Sequence, residues 1–129
     1  MIKIFTGWSH VGGSTIAFIN LVNLFNKNGI KAKLYGPHEW HLNQCISEQI
    51  DYDGTRESLK PVIEGLETGD TVMVHFLPMA FENSGRGFLN RSVYCCHETN
   101  VLPINKVKYH KYDFIHYVSE FQRLWHDIS

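Results

Sequence analysis

Gly7, Gly12, Gly13 and Ser14 are spaced as a device for holding an anion. They stand between a hydrophobic run, Ile2 to Thr6, and a long apolar helical pattern, Ser14 to Asn28. That arrangement reads as strand, glycine-rich turn, helix, the opening unit of a Rossmann-like sheet. Glycine carries no Cβ, so the backbone turns sharply there and a ligand can come close to its amides. Those amides precede a helix, where unpaired N–H groups and the helix dipole favour negative charge. A phosphate or diphosphate is the first-choice ligand. A P-loop needs lysine where this chain has Gly13, so a nucleotidase is disfavoured. The dinucleotide fingerprint Gly-x-Gly-x-x-Gly is absent too. What remains is a non-standard glycine turn, either a diphosphate site or a tight connection that binds nothing.

Further polar residues fall at expected strand ends. In an open parallel sheet, ligands bind beyond the carboxyl ends of the strands. Trp8, Ser9 and His10 lie in the glycine turn, His75 closes one strand, and His97-Glu98-Thr99 closes another. A functional His97 would donate to a phosphate or a sugar hydroxyl, with Glu98 as a neighbouring acceptor; a strand-end histidine is equally a structural group. No metal site is expected. Cys95 and His97 share one face of a strand and Cys96 takes the other, while His38, His41 and Cys45 have approximate helical spacing that a loop surface explains as well. Cys95 and Cys96 sit in an apolar strand, where a thiol tends to be inert. The Lys106-to-Lys111 cluster reads as a solvated face.

Composition and patterning supply the frame. A chain of 129 residues is one domain's worth, able to bury about two-thirds of its unfolded surface. With 43% hydrophobic and 19% charged residues it is ordinary globular material. A formal net charge of −1 gives no footprint for nucleic acid or for an acidic membrane. No apolar run approaches the roughly 20 residues of a membrane span, and the N-terminus leads into a strand, not a signal peptide. Three cysteines, two of them adjacent, read as reduced thiols in the cytoplasm.

The first helix is apolar nearly all round, which predicts that it is largely covered by the sheet and its neighbours. Asn28-Gly29 stops it. Strands are expected over residues 31–35, ended by Gly36-Pro37, and over 71–76, 91–97 and 114–118. One short helix is expected within residues 38–52, and another over 55–66. Pro78 to Gly87 reads as a long loop, and Ser119-Glu120-Phe121-Gln122 as the capping box of a last helix. The expectation is a single α/β domain over 1–129: a Rossmann-like parallel sheet flanked by helices, with right-handed crossovers.

In this order the segments resemble a known family. Ile2 to Phe5 with Gly12-Gly13 and the apolar helix, Gly29-Ile30 with the strand to Tyr35, and Asp70 to His75 follow one another as in the N-terminal domain of GT-B glycosyltransferases. So do Tyr94-Cys95-Cys96-His97-Glu98 and Tyr112 to Glu120. The resemblance covers essentially the whole chain and points to the retaining group that uses nucleotide-sugar donors. It implies that the Gly12 and Gly13 amides approach the donor diphosphate and that His97 acts as the catalytic residue beside the transferring sugar. It implies further that Trp8, His10, His75 and Glu98 shape the site for a carbohydrate or lipid-linked acceptor. Neither metal nor cofactor is implied, the nucleotide sugar being a substrate. The family pairs two Rossmann-like domains, and the second carries most of the nucleotide grip. This chain ends at Ser129, so a C-terminal domain or partner chain is expected, and the chain alone is expected to be inactive. The expected location is the cytoplasm, with peripheral attachment to a membrane also compatible. The alternative is a stand-alone α/β ligand-binding or regulatory module of flavodoxin-like topology.

Overall fold

The computed structural model describes residues 1–7, 13–37, 39–50, 56–75, 90–96 and 113–117. Its strands are β1 (Ile2–Thr6), β2 (Ala32–Gly36), β3 (Ser47–Gln49), β4 (Thr71–His75), β5 (Arg91–Cys96) and β6 (Phe114–Tyr117). Its helices are α1 (Gly13–Lys27) and α2 (Arg56–Glu64), with a 3₁₀ turn at Glu39–His41. The strands form one six-stranded sheet in the order β3-β2-β1-β4-β5-β6, and every pairing is parallel. The expected α/β Rossmann-like sheet is therefore present.

A parallel sheet must be covered on both faces, and side-chain alternation in β1 and β4 does this. Ile4 faces a cluster with Phe18, Ile19 and Val22 of α1, together with Ala32, Leu34 and Cys95. Phe5 faces the opposite cluster with Tyr35, Ile50, Val72 and Val74, against which Val62 and Ile63 of α2 pack. Thus α1 and α2 lie on opposite faces. Burial along α1 falls on Thr15, Phe18, Ile19 and Val22, the i, i+3, i+4, i+7 stripe of a one-sided helix. The other side is open: Ile16 is 47% and Leu24 56% exposed. This corrects the expectation of a largely covered helix. One sheet face hides only one stripe, and the apolar residues on the far side have no bearing on which stripe that is.

The helix ends as its sequence suggests. Ile30 N–H donates to the Phe25 carbonyl at 2.9 Å and Gly29 N–H to that of Asn26 at 3.2 Å. With Gly29 at φ 79°, this is a Schellman cap. A Cβ on Gly29 would meet nothing within 4 Å, so only backbone conformation is at stake. Gly29→Ala is expected to lower stability by about 1 kcal/mol, read as a lower urea midpoint with an unchanged slope.

Residues 39–50 differ from the short helix expected within 38–52. The 3₁₀ turn is followed by β3, which pairs with β2 in the register Leu34↔Ser47 and Tyr35↔Glu48. Ser47-Glu48-Gln49 has no apolar alternation to announce a strand. It is held by backbone bonds on either side, Leu34 N–H to Ile46 O at 3.0 Å and Ile50 N–H to Gly36 O at 2.8 Å, and by Ile50, which is buried in the core. Lys33 Nζ also meets Glu48 Oε2 at 2.8 Å, a partly exposed pair worth no more than about 1 kcal/mol. The consequence for topology is large. Without β3, the remaining strands would form the five-stranded order of flavodoxin-like sheets; with it, the order is that of the dinucleotide-binding fold.

The amino ends of the strands are tied by Asp70. Its carboxylate meets Lys3 Nζ at 2.8 Å and the Met1 amine at 3.2 Å, and accepts the Glu67 N–H at 2.9 Å. Asn90 donates to the carbonyls of Glu67 at 2.7 Å and Asp70 at 3.1 Å, just ahead of β5. Ser92 and Asp113 exchange bonds between β5 and β6, Ser92 N–H to Asp113 Oδ2 at 2.8 Å and Asp113 N–H to Ser92 Oγ at 3.3 Å. At the opposite, carboxyl, end no ion pair is found among the described residues; β1 and β4 are joined there by the side chains of Thr6 and His75.

Candidate functional site at the strand switch point

From β1 the chain builds outward through β2 and β3, and then returns to place β4 on the other side of β1. The crevice between the carboxyl ends of β1 and β4 is thus the topological switch point, where sheets of this kind bind ligands. Thr6 and His75, the last residues of these strands, are in register there. Both side chains point to the α1 face, two positions beyond Ile4 and Met73. Thr6 Oγ1 and His75 Nδ1 lie 3.4 Å apart, and the tautomer of the ring decides which donates. Gly7 N–H donates to the His75 carbonyl at 3.0 Å. That bond prolongs the strand pairing by one residue and aims the chain into the glycine turn.

Helix α1 runs back across this end of the sheet. Gly13 is its first residue, and its first turn contains no acidic side chain, so no carboxylate of that turn answers the N–H groups with which a helix begins. Thr15 is wholly buried. Phe18 rests on the His75 ring, with centroids 5.2 Å apart and planes at 46°. Buried Thr6 and His75 therefore form a polar floor at the switch point, on the sheet face that α1 covers. A polar floor at a switch point suits an anionic or hydroxylated ligand.

Among the expected site residues, the structure brings Gly13 and His75 to this crevice. His75 is only 2% exposed, so it acts here through Thr6 and through its carbonyl, as part of the floor. Trp8, His10, Gly12, His97 and Glu98 lie outside the described residues; β5 ends at Cys96, directly before His97 in the chain. Cys95 is buried in the α1-side cluster, as an apolar strand thiol should be. Cys45 is half-buried, and burial raises its thiol pKa, against a weaker opposing bond from Ser47; it stays protonated and unreactive at neutral pH. Among the described residues no group of three or more His, Cys, Asp or Glu side chains is arranged to hold a metal ion. No described helix is long and apolar enough to cross a membrane.

Two residues of this end escaped the sequence reading. Gly36 ends β2 beside Thr6, and His41, expected on a loop surface, is 1% exposed against it. The Gly36-Pro37 pair signalled only the end of a strand. Nothing in the sequence around His41 marks it as buried, because a 3₁₀ turn has no apolar period to read. Comparison with protein-family models, with curated proteins and with solved structures finds no match to this chain.

Proposed function

We propose that this chain is the N-terminal, acceptor-side domain of a retaining GT-B glycosyltransferase that uses a nucleotide-sugar donor. The observation that carries the reading is the switch-point crevice. Thr6 and His75 close β1 and β4 there as a buried polar pair, and α1 begins without a carboxylate in its first turn. In this reading the amides of Gly12 and Gly13 lie along the donor diphosphate as it departs. Backbone N–H groups fixed before the reaction stabilise the charge that develops on the leaving group. His97 stands beside the transferring sugar, and Trp8, His10 and Glu98 line the acceptor side, with His75 supporting the floor. One such domain supplies half of a cleft. A second Rossmann-like domain, on the same chain or a partner, supplies the remaining contacts to the nucleotide, and the isolated chain transfers nothing. The reaction takes place in the cytoplasm or at its membrane surface.

The competing reading, a stand-alone flavodoxin-like module, is disfavoured by β3, which extends the sheet beyond that topology. Titration of the ¹⁵N-labelled chain with pyrophosphate, UDP-glucose and flavin mononucleotide separates the two. Pyrophosphate and UDP-glucose are expected to shift the amides of Gly12, Gly13 and Ser14. Ser14→Asp is expected to weaken both by about tenfold, since a carboxylate in the first turn competes for the same N–H groups, while the helix itself gains about 0.5 kcal/mol. Binding lost while the melting temperature holds or rises is not a folding defect. Tight binding of flavin mononucleotide with indifference to pyrophosphate sinks the glycosyltransferase reading.

A further inference from the structure

The crevice has a third edge, the carboxyl end of β2, and His41 occupies it. Phe5 is in register with Tyr35, which sets Gly36 beside Thr6. A Cβ built on Gly36 would lie 2.9 Å from His41 Nε2, 3.2 Å from His41 Cδ2 and 3.4 Å from Thr6 Cγ2. The imidazole is therefore packed directly on bare backbone, so close that any side chain at position 36 would require the ring to shift. Its placement is fixed from below: the His41 carbonyl accepts the Ser47 hydroxyl at 3.2 Å and the Gln44 N–H at 3.0 Å. Since Ser47 opens β3, the 3₁₀ turn is anchored to the sheet.

In dinucleotide-binding sheets of this strand order, a carboxylate about 20 residues after the glycine turn, at the end of the second strand, grips the ribose hydroxyls. Here that place reads Tyr35-Gly36-Pro37. The first acid after it, Glu39, is exposed on the 3₁₀ turn. The ribose position thus lacks its gripping group and has a ring in it. We infer that His41 is a specificity residue: it fills the space over Gly36 that a nucleoside would need. The crevice takes the phosphate or sugar part of a ligand and turns the nucleoside away. The inference rests on the crevice proposed above and narrows its substrate class, leaving the nucleoside to be held elsewhere. Exclusion by a filled pocket is a normal source of specificity.

The test uses adenosine, which carries no phosphate and so does not depend on the anion site. In wild type, adenosine is expected to leave the Gly36 and Thr6 amides unmoved. In His41→Ala it is expected to bind at least tenfold more tightly, with shifts centred on Gly36. Wild-type binding of adenosine at Gly36 overturns the inference. So does a His41→Ala chain with native circular dichroism and a cooperative melt that binds adenosine no better than wild type. Should the alanine variant not fold, wild type decides: ADP is expected to bind no more tightly than pyrophosphate, and a tenfold preference for ADP with movement of Gly36 overturns the proposal. A wild-type chain indifferent to pyrophosphate defeats the anion reading alone, and gain of adenosine binding in His41→Ala still upholds the role of His41.

Discussion

Phe5→Ala is expected to lower the unfolding free energy by about 3–5 kcal/mol. Phe5 is fully buried in the second strand position from the crevice. Its ring stacks on Tyr35 with centroids 4.9 Å apart and planes at 12°, inside the cluster that holds α2 against the sheet. Removing it deletes the transfer free energy of a large side chain and leaves a void that the flanking Val72 and Val74, fixed in the neighbouring strand, fill poorly. Domains of this size hold about 5–15 kcal/mol in all, so the variant should sit near its unfolding threshold. Urea titration followed by tyrosine fluorescence checks it; a midpoint within 0.3 M or so of wild type, at a slope of the usual size for small proteins, would contradict the packing described.

The second large effect concerns Asp70, and it depends on pH. Asp70→Asn is expected to cost about 3 kcal/mol at neutral pH, because it strands Lys3 beside a nearly buried amide. Burial of the carboxyl opposes its ionisation, but the bond from Lys3, the Glu67 N–H and the N-terminal amine together outweigh it, so its pKa lies below the ordinary value. A pKa depressed by folding means that the unfolded chain takes up the proton first on acidification. The stabilisation is therefore complete above about pH 4, the unfolded carboxyl value, and disappears as pH falls through the lower folded value. Wild type and Asp70→Asn should differ most at pH 6–7 and converge below pH 4. Parallel urea midpoints across that range, with a constant gap, would show that the carboxylate charge is not what the clamp uses.

How much of this was legible depended on whether a segment's structure is dictated by its own side chains. The strands at the sheet centre were readable because burial on both faces demands apolar runs, Val72 to Val74 unbroken and Ile2 to Phe5 interrupted only by Lys3. The α1 stop was readable because a left-handed residue calls for Gly29. The edge strand β3 was not, since Ser47-Glu48-Gln49 is placed by the backbone of β2 and by Ile50. The open side of α1 was hidden for a related reason: Ile16 and Leu24 look like core residues until the one available face is taken by others. In the candidate site, the glycine turn and His75 were marked by residue type at strand ends. Gly36 and His41 were not, because their packing depends on a register between segments that the sequence does not display.

The pairing at the middle of the sheet has a consequence for how the molecule is made. Thr6 and His75 are neighbours in space but 69 positions apart in the chain. Pairing β1 with β2 needs only the connection through α1, whereas pairing it with β4 must wait until the chain has been made as far as His75. As the chain emerges from a ribosome at roughly 5–20 residues per second, one edge of β1 stays bare for several seconds. Distant closures of this kind slow folding. The crevice, and whatever it binds, comes into being only when that seam shuts.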